Sequence, residues 1–189
     1  MQKIMFDNRF GLTAAVREGC KNMTRRPARK KYIKDADGNL SWNGEYLPPR
    51  YKVGEVVAVA QSYREIEKEI EREGLPLTLK DSILKSPGYR NKMFVKAEFM
   101  PLQIRITAVR GERLQDISDE DCLREGVRKL ESDGCPTMFS FDGWRFKNKV
   151  NRCTDSPKEA FEALFKKLSG KKAWDDNPYV DVYEFEKVK

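Results

Sequence analysis

Hydrophobic and polar positions follow two periods along this chain, and the switches between them mark out its elements. In "MPLQIRITAVRGERL", Leu102, Ile104, Ile106 and Ala108 point one way while Gln103, Arg105 and Thr107 point the other. That alternation predicts a half-buried strand. "YKVGEVVAVAQSY" runs almost unbroken in Val and Ala, the pattern of a strand covered on both faces. "KIMFD" and "NPYVDVYEFEKV" predict strands near the two ends. Helical spacing appears in "LTAAVREG", where Leu12, Ala15 and Val16 share a face and Gly19 suits a left-handed cap. "SPKEAFEALFKKLSG" has Ser156 as N-cap, Pro157 in the first position, Glu159 closing a capping box and Gly170 as the stop. Its buried stripe is Phe161, Leu164, Phe165 and Leu168.

Weaker patterns fill the rest. "ISDEDCLREGV" predicts a short helix capped by Ser118, with Asp121 three residues on and Gly126 at its end. "SYREIEKEIEREG" carries a Ser62–Glu65 capping box and ends at Gly74, but its large apolar residues are Ile66 and Ile70. So thin a stripe predicts an exposed helix inserted between strands. Residues 75–98 are irregular. "KDADGNLSWNGEYLPP" holds D-G and N-G turn pairs and predicts a loop or hairpin. "FSFDGWRF" predicts a second hairpin, with Trp144 and Phe146 as cross-strand packing or as a stacking lid. Trp174 reads as core.

Helices and strands alternate, yet the strands are few and their connections irregular. The pattern favours an α+β class, a small mixed sheet or partly open barrel with helices around it, over a doubly wound nucleotide-binding fold. Neither G-x-G-x-x-G nor G-x-x-x-x-G-K-[ST] occurs, so no glycine-rich phosphate cradle is signalled.

A length of 189 residues suits one domain spanning 1–189, with insertions near 35–50, 64–98 and 131–155. No run of about 18 apolar residues is present, so no membrane span is expected. "MQKIMFDNRFG" lacks the apolar stretch of a signal peptide, which points to a cytoplasmic location, a host's cytoplasm included. Cys20, Cys122, Cys135 and Cys153 form no C-x-x-C pair, so free thiols, no metal site and no cofactor are expected. The chain has no histidine. Ser-His-Asp and Cys-His catalysis are thereby excluded, and acid–base chemistry falls to Lys, Glu, Asp, Tyr or Cys.

Charge singles out one segment. "REGCKNMTRRPARKKYIK", residues 17–34, holds eight Lys or Arg and one acid. Removing it from the chain's 37 bases and 30 acids leaves 29 of each, so the whole excess of +7 sits here. Charge runs are usually solvated faces. This one is little interleaved with acid and lies beside the aromatic residues Tyr32, Trp42 and Tyr46. Arg25, Arg26, Arg29, Lys30, Lys31 and Tyr32 are therefore candidates for contact with RNA or a modified nucleoside or nucleotide.

Four stretches carry a likeness to a known family: "REGCKNMTRRP", "YKVGEVVAVAQSY", "IRITAVRGERLQDISDEDCLREGV" and "FEALFKKLSGKKAWDDNPYVDVYEFEKV". In this order, over about half the chain, they resemble ASCH-domain proteins of the PUA-like superfamily, especially phage and bacterial members. Where phage-type relatives often have an acid and a tryptophan after the second strand, this chain has Gln61 and Tyr63. The resemblance implies a small β-barrel, a cleft walled by the basic helix end, and RNA binding or handling of modified nucleosides. It also implies a second activity, since some compact ASCH proteins are amidohydrolases acting on N4-acetylcytidine through a lysine, a threonine and a glutamate. The matching positions are Lys21, Thr24 and Glu125.

Those three residues suit acyl transfer if they converge. Thr24 attacks the amide carbonyl, Lys21 takes its proton once burial or neighbouring cations neutralise it, and Glu125 orients the lysine or protonates the leaving amine. On one strand, Lys21 and Thr24 would fall on opposite faces, so a turn after Gly19 is needed. Simpler readings stand beside this: a solvated lysine, a hydroxyl capping a turn, and a surface carboxylate paired with Arg128 or Lys129. The sequence favours a nucleotide- or RNA-binding module, with an amidohydrolase as the alternative and, third, a phage or mobile-element accessory protein that docks through the "YREIEKEIEREG" helix.

Overall fold

The structure, a computed structural model, describes residues 1–34, 40–72, 81–131, 136–141 and 153–188, without the side chains of 31–34, 40–43, 72 and 81. The expected Asp142–Gly143 turn, Trp144, Phe146, Cys135 and Gly74 lie outside the described residues, as do the side chains of Lys31, Tyr32 and Trp42.

The chain is α+β. The strands are β1 (Gln2–Ile4), β2 (Met23–Pro27), β3 (Lys30–Lys34), β4 (Leu40–Tyr46), β5 (Val56–Val59), β6 (Gln103–Arg113), β7 (Arg128–Leu130), β8 (Met138–Ser140), β9 (Cys153–Thr154) and β10 (Tyr179–Lys187). The helices are α1 (Leu12–Arg17), α2 (Tyr63–Arg72), α3 (Asp81–Leu84), α4 (Asp119–Arg124), α5 (Pro157–Ser169) and α6 (Lys171–Asp175). The main sheet has the order β1-β5-β6-β10-β2, with β1 parallel to β5 and every other neighbour antiparallel. Among the described residues no ladder joins β1 to β2, so the sheet is open. It curls nonetheless: Arg26 on β2 donates from Nη2 to the carbonyl of Met5, one residue past β1, at 2.6 Å.

Both faces of the sheet are covered. On one, Val57, Val59, Ile104, Ile106 and Tyr183 pack with Leu12, Val16 and Leu164. Met23, Val180 and Val182 join Phe161, Phe165 and Trp174 in a second core. Ala58 and Ala60, alternating with the valines, pack instead under α2 with Val95, Ala97 and Met100. This is the two-sided burial that the Val-Ala run predicts. The expected exposed helix is a correction in part. Tyr63 and Ile66 of α2 are buried, because residues 95–100 supply the apolar surface that its own thin stripe lacks.

Local signals explain the elements. Ser156 accepts from the Glu159 amide at 3.1 Å and Ser118 from the Asp121 amide at 3.1 Å, each relieving an orphan donor of a helix start. The Ser62–Glu65 box closes in both directions. Gly19 ends α1 with φ +78°. Met23–Pro27 is an edge strand of the main sheet, and Lys30–Lys34 pairs with Leu40–Tyr46 as a hairpin. Asn43-Gly44 is no turn; Gly44, at φ +86°, sits inside β4 where the register shifts. Leu168 of the α5 stripe is 38% exposed and lines a cleft instead of the core. No described helix is long and apolar enough to cross a membrane.

Ile106, fully buried at the centre of the sheet, tests this packing. Ile106→Ala is expected to lower unfolding stability by about 2–5 kcal/mol, read from urea denaturation.

Candidate functional site

The site grows from the end of α1. Gly19 reverses the chain, and the Lys21 amide donates to the Ala15 carbonyl at 3.0 Å. Asn22 is then pinned from two sides, donating to the Arg124 carbonyl at 3.1 Å and accepting from the Phe185 amide at 2.9 Å. The chain enters β2 only at Met23, so Lys21 is free of the strand's alternation and can turn inward. Gly126, at φ +104°, lies against the lysine stem; a Cβ there would stand 3.7 Å from Lys21 Cβ.

Lys21 is 2% exposed and Glu125 4%. Lys21 Nζ donates to the Glu125 carboxylate at 2.6 Å, the Glu125 carbonyl at 2.7 Å and the Met23 carbonyl at 2.8 Å, which occupies all three ammonium protons. Glu125 caps the C-terminus of α4. A carboxylate is disfavoured there by the helix dipole, and the ammonium offsets that. Burial pulls the Lys21 pKa down; Glu125 opposes this, while Arg26 and Arg25 reinforce it. Nζ also lies 5.5 Å from the centre of the Phe6 ring.

Arg25 is buried and lies in an ion network. It meets Glu112 at 2.6 Å, Asp121 at 2.8 Å and Glu125 at 3.3 Å. Arg110 bridges Asp121, Glu112 and Glu184, and Arg124 meets Glu184 at 2.8 Å. Four cations (Lys21, Arg25, Arg110, Arg124) thus answer four carboxylates (Glu112, Asp121, Glu125, Glu184) across β2, β6, β10 and α4. The Arg25 guanidinium is therefore engaged by carboxylates on several sides.

Beside this network opens a cleft of about 360 Å³. Lys21, Thr24, Arg25, Arg26 and Glu125 line it together with Phe6, and Phe161, Leu164, Phe165 and Leu168 of α5 form an apolar wall. Thr24 is 4% exposed, and among the described residues no hydrogen bond reaches its hydroxyl. Arg26 is half-buried with its guanidinium 5.6 Å from the Phe6 ring centre; burial lowers its pKa. Lys92, from the 3-10 turn Lys92–Phe94, also lines the cleft and donates to the Phe6 carbonyl.

The sequence-derived candidates thus divide. Lys21, Thr24 and Glu125 come together in one cleft. Arg26 joins them. Arg29 is exposed and donates to the Pro48 carbonyl, and Lys30 is exposed at the start of the hairpin. Tyr46 is edge-on to Tyr179 at 5.7 Å. Lys31 and Tyr32 fall on described backbone alone. The surface pairing considered for Glu125 does not occur; Arg128 meets Glu18 and Lys129 meets Glu131. Sequence reading missed Arg110, Glu112, Asp121, Glu184 and the α5 wall. Charges two apart within an apolar strand, Arg110 and Glu112 in "AVRGER", were the available signal.

Cys122 is buried, and burial raises its thiol to about 12; Cys20 is exposed and Cys153 partly so. No family model, curated protein or solved structure matches this chain.

The lowered Lys21 pKa fixes the sign of a pH effect. The folded state holds fewer protons on this group than the unfolded chain does below the ordinary value of 10.5, so its contribution to stability improves as pH rises through the folded pKa towards 10.5. Measured by urea denaturation, the stability of the natural chain relative to Lys21→Met is expected to rise over that range. A flat difference contradicts the depressed pKa.

Proposed function

We propose that the chain is an ASCH-type, PUA-like protein whose cleft takes a modified nucleoside or nucleotide and hydrolyses an amide on it. The observation that carries this is the buried 2.6 Å contact of Lys21 with Glu125, set in the same open cleft as the unpartnered Thr24 hydroxyl. A nucleoside-sized ligand suits both the volume of about 360 Å³ and the pairing of an apolar wall with a few polar groups.

In this reading the Lys21–Glu125 pair acts as one proton carrier. Shifting a proton from Nζ to the carboxylate frees a lone pair on Lys21, which takes the Thr24 proton as Oγ1 attacks the amide carbonyl. The carbon–nitrogen bond then breaks, and Glu125 gives its proton to the leaving amine. Water hydrolyses the threonine ester, releasing the acid and restoring the hydroxyl. Arg26, which lines the same cleft, bears in this reading on the negative oxygen that develops.

A binding-only reading has one observation in its favour. All three Lys21 protons are already engaged, and an ammonium held in that way is a poor acceptor. Under this reading the cleft, with Arg26 in its wall and Arg29 in the adjoining hollow, recognises RNA or a modified nucleotide without turning it over.

Acetate release from N4-acetylcytidine separates the two. Hydrolysis is expected, rising with pH towards the Lys21 pKa, and falling about 10²–10⁴-fold in Lys21→Ala and in the near-isosteric Thr24→Val. No acetate from a folded protein, together with salt-sensitive RNA binding in a gel shift, rejects the hydrolase and leaves the binding module.

A further inference from the structure

The two hollows beside β2 differ in how their cations are held. In the cleft, Lys21 and Arg25 meet carboxylates. A neighbouring cavity of about 280 Å³ is lined by four cations, Lys3, Arg26, Arg29 and Arg50, with Tyr51, Tyr183 and Asp181. Neutral oxygens hold all four. Lys3 Nζ donates to the Met93 and Val95 carbonyls at 2.9 and 2.8 Å, Arg26 to the Met5 carbonyl, and Arg29 to the Pro48 carbonyl. The Arg50 guanidinium reaches the amide oxygen of Gln2 at 3.4 Å. None of the four forms an ion pair with a described carboxylate.

Among the described residues Asp181 is the one acid in the lining. It is buried, accepts from the Tyr183 hydroxyl at 3.3 Å, and burial raises its pKa against the pull of Tyr183 and Arg29. A single weakened carboxylate leaves most of the positive charge uncompensated. Burial already works against the Arg26 charge; Tyr51 and Glu125 oppose that, and the Arg50 charge adds to it. An anion seated here relieves both effects. Guanidinium groups, with paired donors in a plane, suit phosphate oxygens. The two hollows are contiguous, sharing Met5, Arg26 and Pro27 in their walls.

We propose that this second cavity is a phosphate subsite, so that the ligand is a phosphorylated nucleoside: the base occupies the cleft while its phosphate lies among Lys3, Arg26, Arg29 and Arg50. The proposal deepens the functional reading above and rests on it for the nucleoside half. The phosphate itself has two sources, a free nucleotide or a nucleic-acid backbone.

Titration calorimetry with cytidine, cytidine 5′-monophosphate and a cytidine-containing dinucleoside monophosphate tests it, alongside ³¹P line broadening of inorganic phosphate. The monophosphate or the diester is expected to bind at least about tenfold tighter than cytidine, and which of the two gains more identifies the source. Arg50→Glu, which leaves the backbone bond from the Arg50 amide to Tyr183 in place, is expected to abolish that gain and the phosphate broadening, with Arg50→Lys restoring part. Phosphate broadened in an Arg50-dependent way, while no cytidine compound binds, upholds the subsite and rejects the nucleoside reading. Equal affinity for cytidine and both phosphorylated forms, or insensitivity to Arg50→Glu, overturns the subsite.

Discussion

An ammonium removed from water must meet carboxylate and carbonyl oxygens or give up its proton. Lys21 meets three such oxygens, two of them on Glu125. Glu125 in turn faces Arg25, and Arg25 faces Glu112 and Asp121. Each charge is tolerable in the interior only because the next one is in place. The requirement ties the start of β2 to α4, β6 and β10, elements far apart in sequence, and so fixes where the cleft opens. A buried network of this kind is weak evidence for extra stability, since apolar replacements often do as well. Its effect here is geometric: it holds one amine at the bottom of a hollow, with a carboxylate on one side and an unpartnered hydroxyl sharing the wall.

The network also changes the meaning of the local positive charge. Counted along the chain, residues 17–34 form a single basic block. In space the block is sorted. Lys21 and Arg25 are matched by acids from distant segments, Arg17 meets Glu69, and Arg26 and Arg29 are left to carbonyl oxygens. A linear count treats every cation as available, whereas a binding partner can use only those without an internal carboxylate.

Much of the fold was legible because short-range chemistry determines it. The caps at Ser62, Ser118 and Ser156 and the left-handed glycines at 19 and 126 lie where their spacing puts them. Alternation in β6 and the two-sided burial of β5 follow from residue pattern alone. What was not legible depends on distant partners. "MTRRP" lacks an apolar alternation, because one face of β2 packs an arginine into ions and the other looks into a hollow. The helix "YREIEKEIER" has too few apolar residues of its own to signal burial, because its cover comes from residues 95–100. For the site, Lys21, Thr24 and Glu125 were singled out by resemblance, while their convergence needed the turn at Gly19 and the packing of α4. Of the carboxylates around Arg25, Glu112 is marked only by its spacing from Arg110, and Asp121 reads simply as part of a helix start.

Arg26 occupies an unusual position in this arrangement. Its guanidinium fastens one margin of the sheet to the backbone beside the other, and the same group forms the partition between the two hollows. Any ligand that touches Arg26 from either chamber therefore touches the clasp as well, since one side chain serves both.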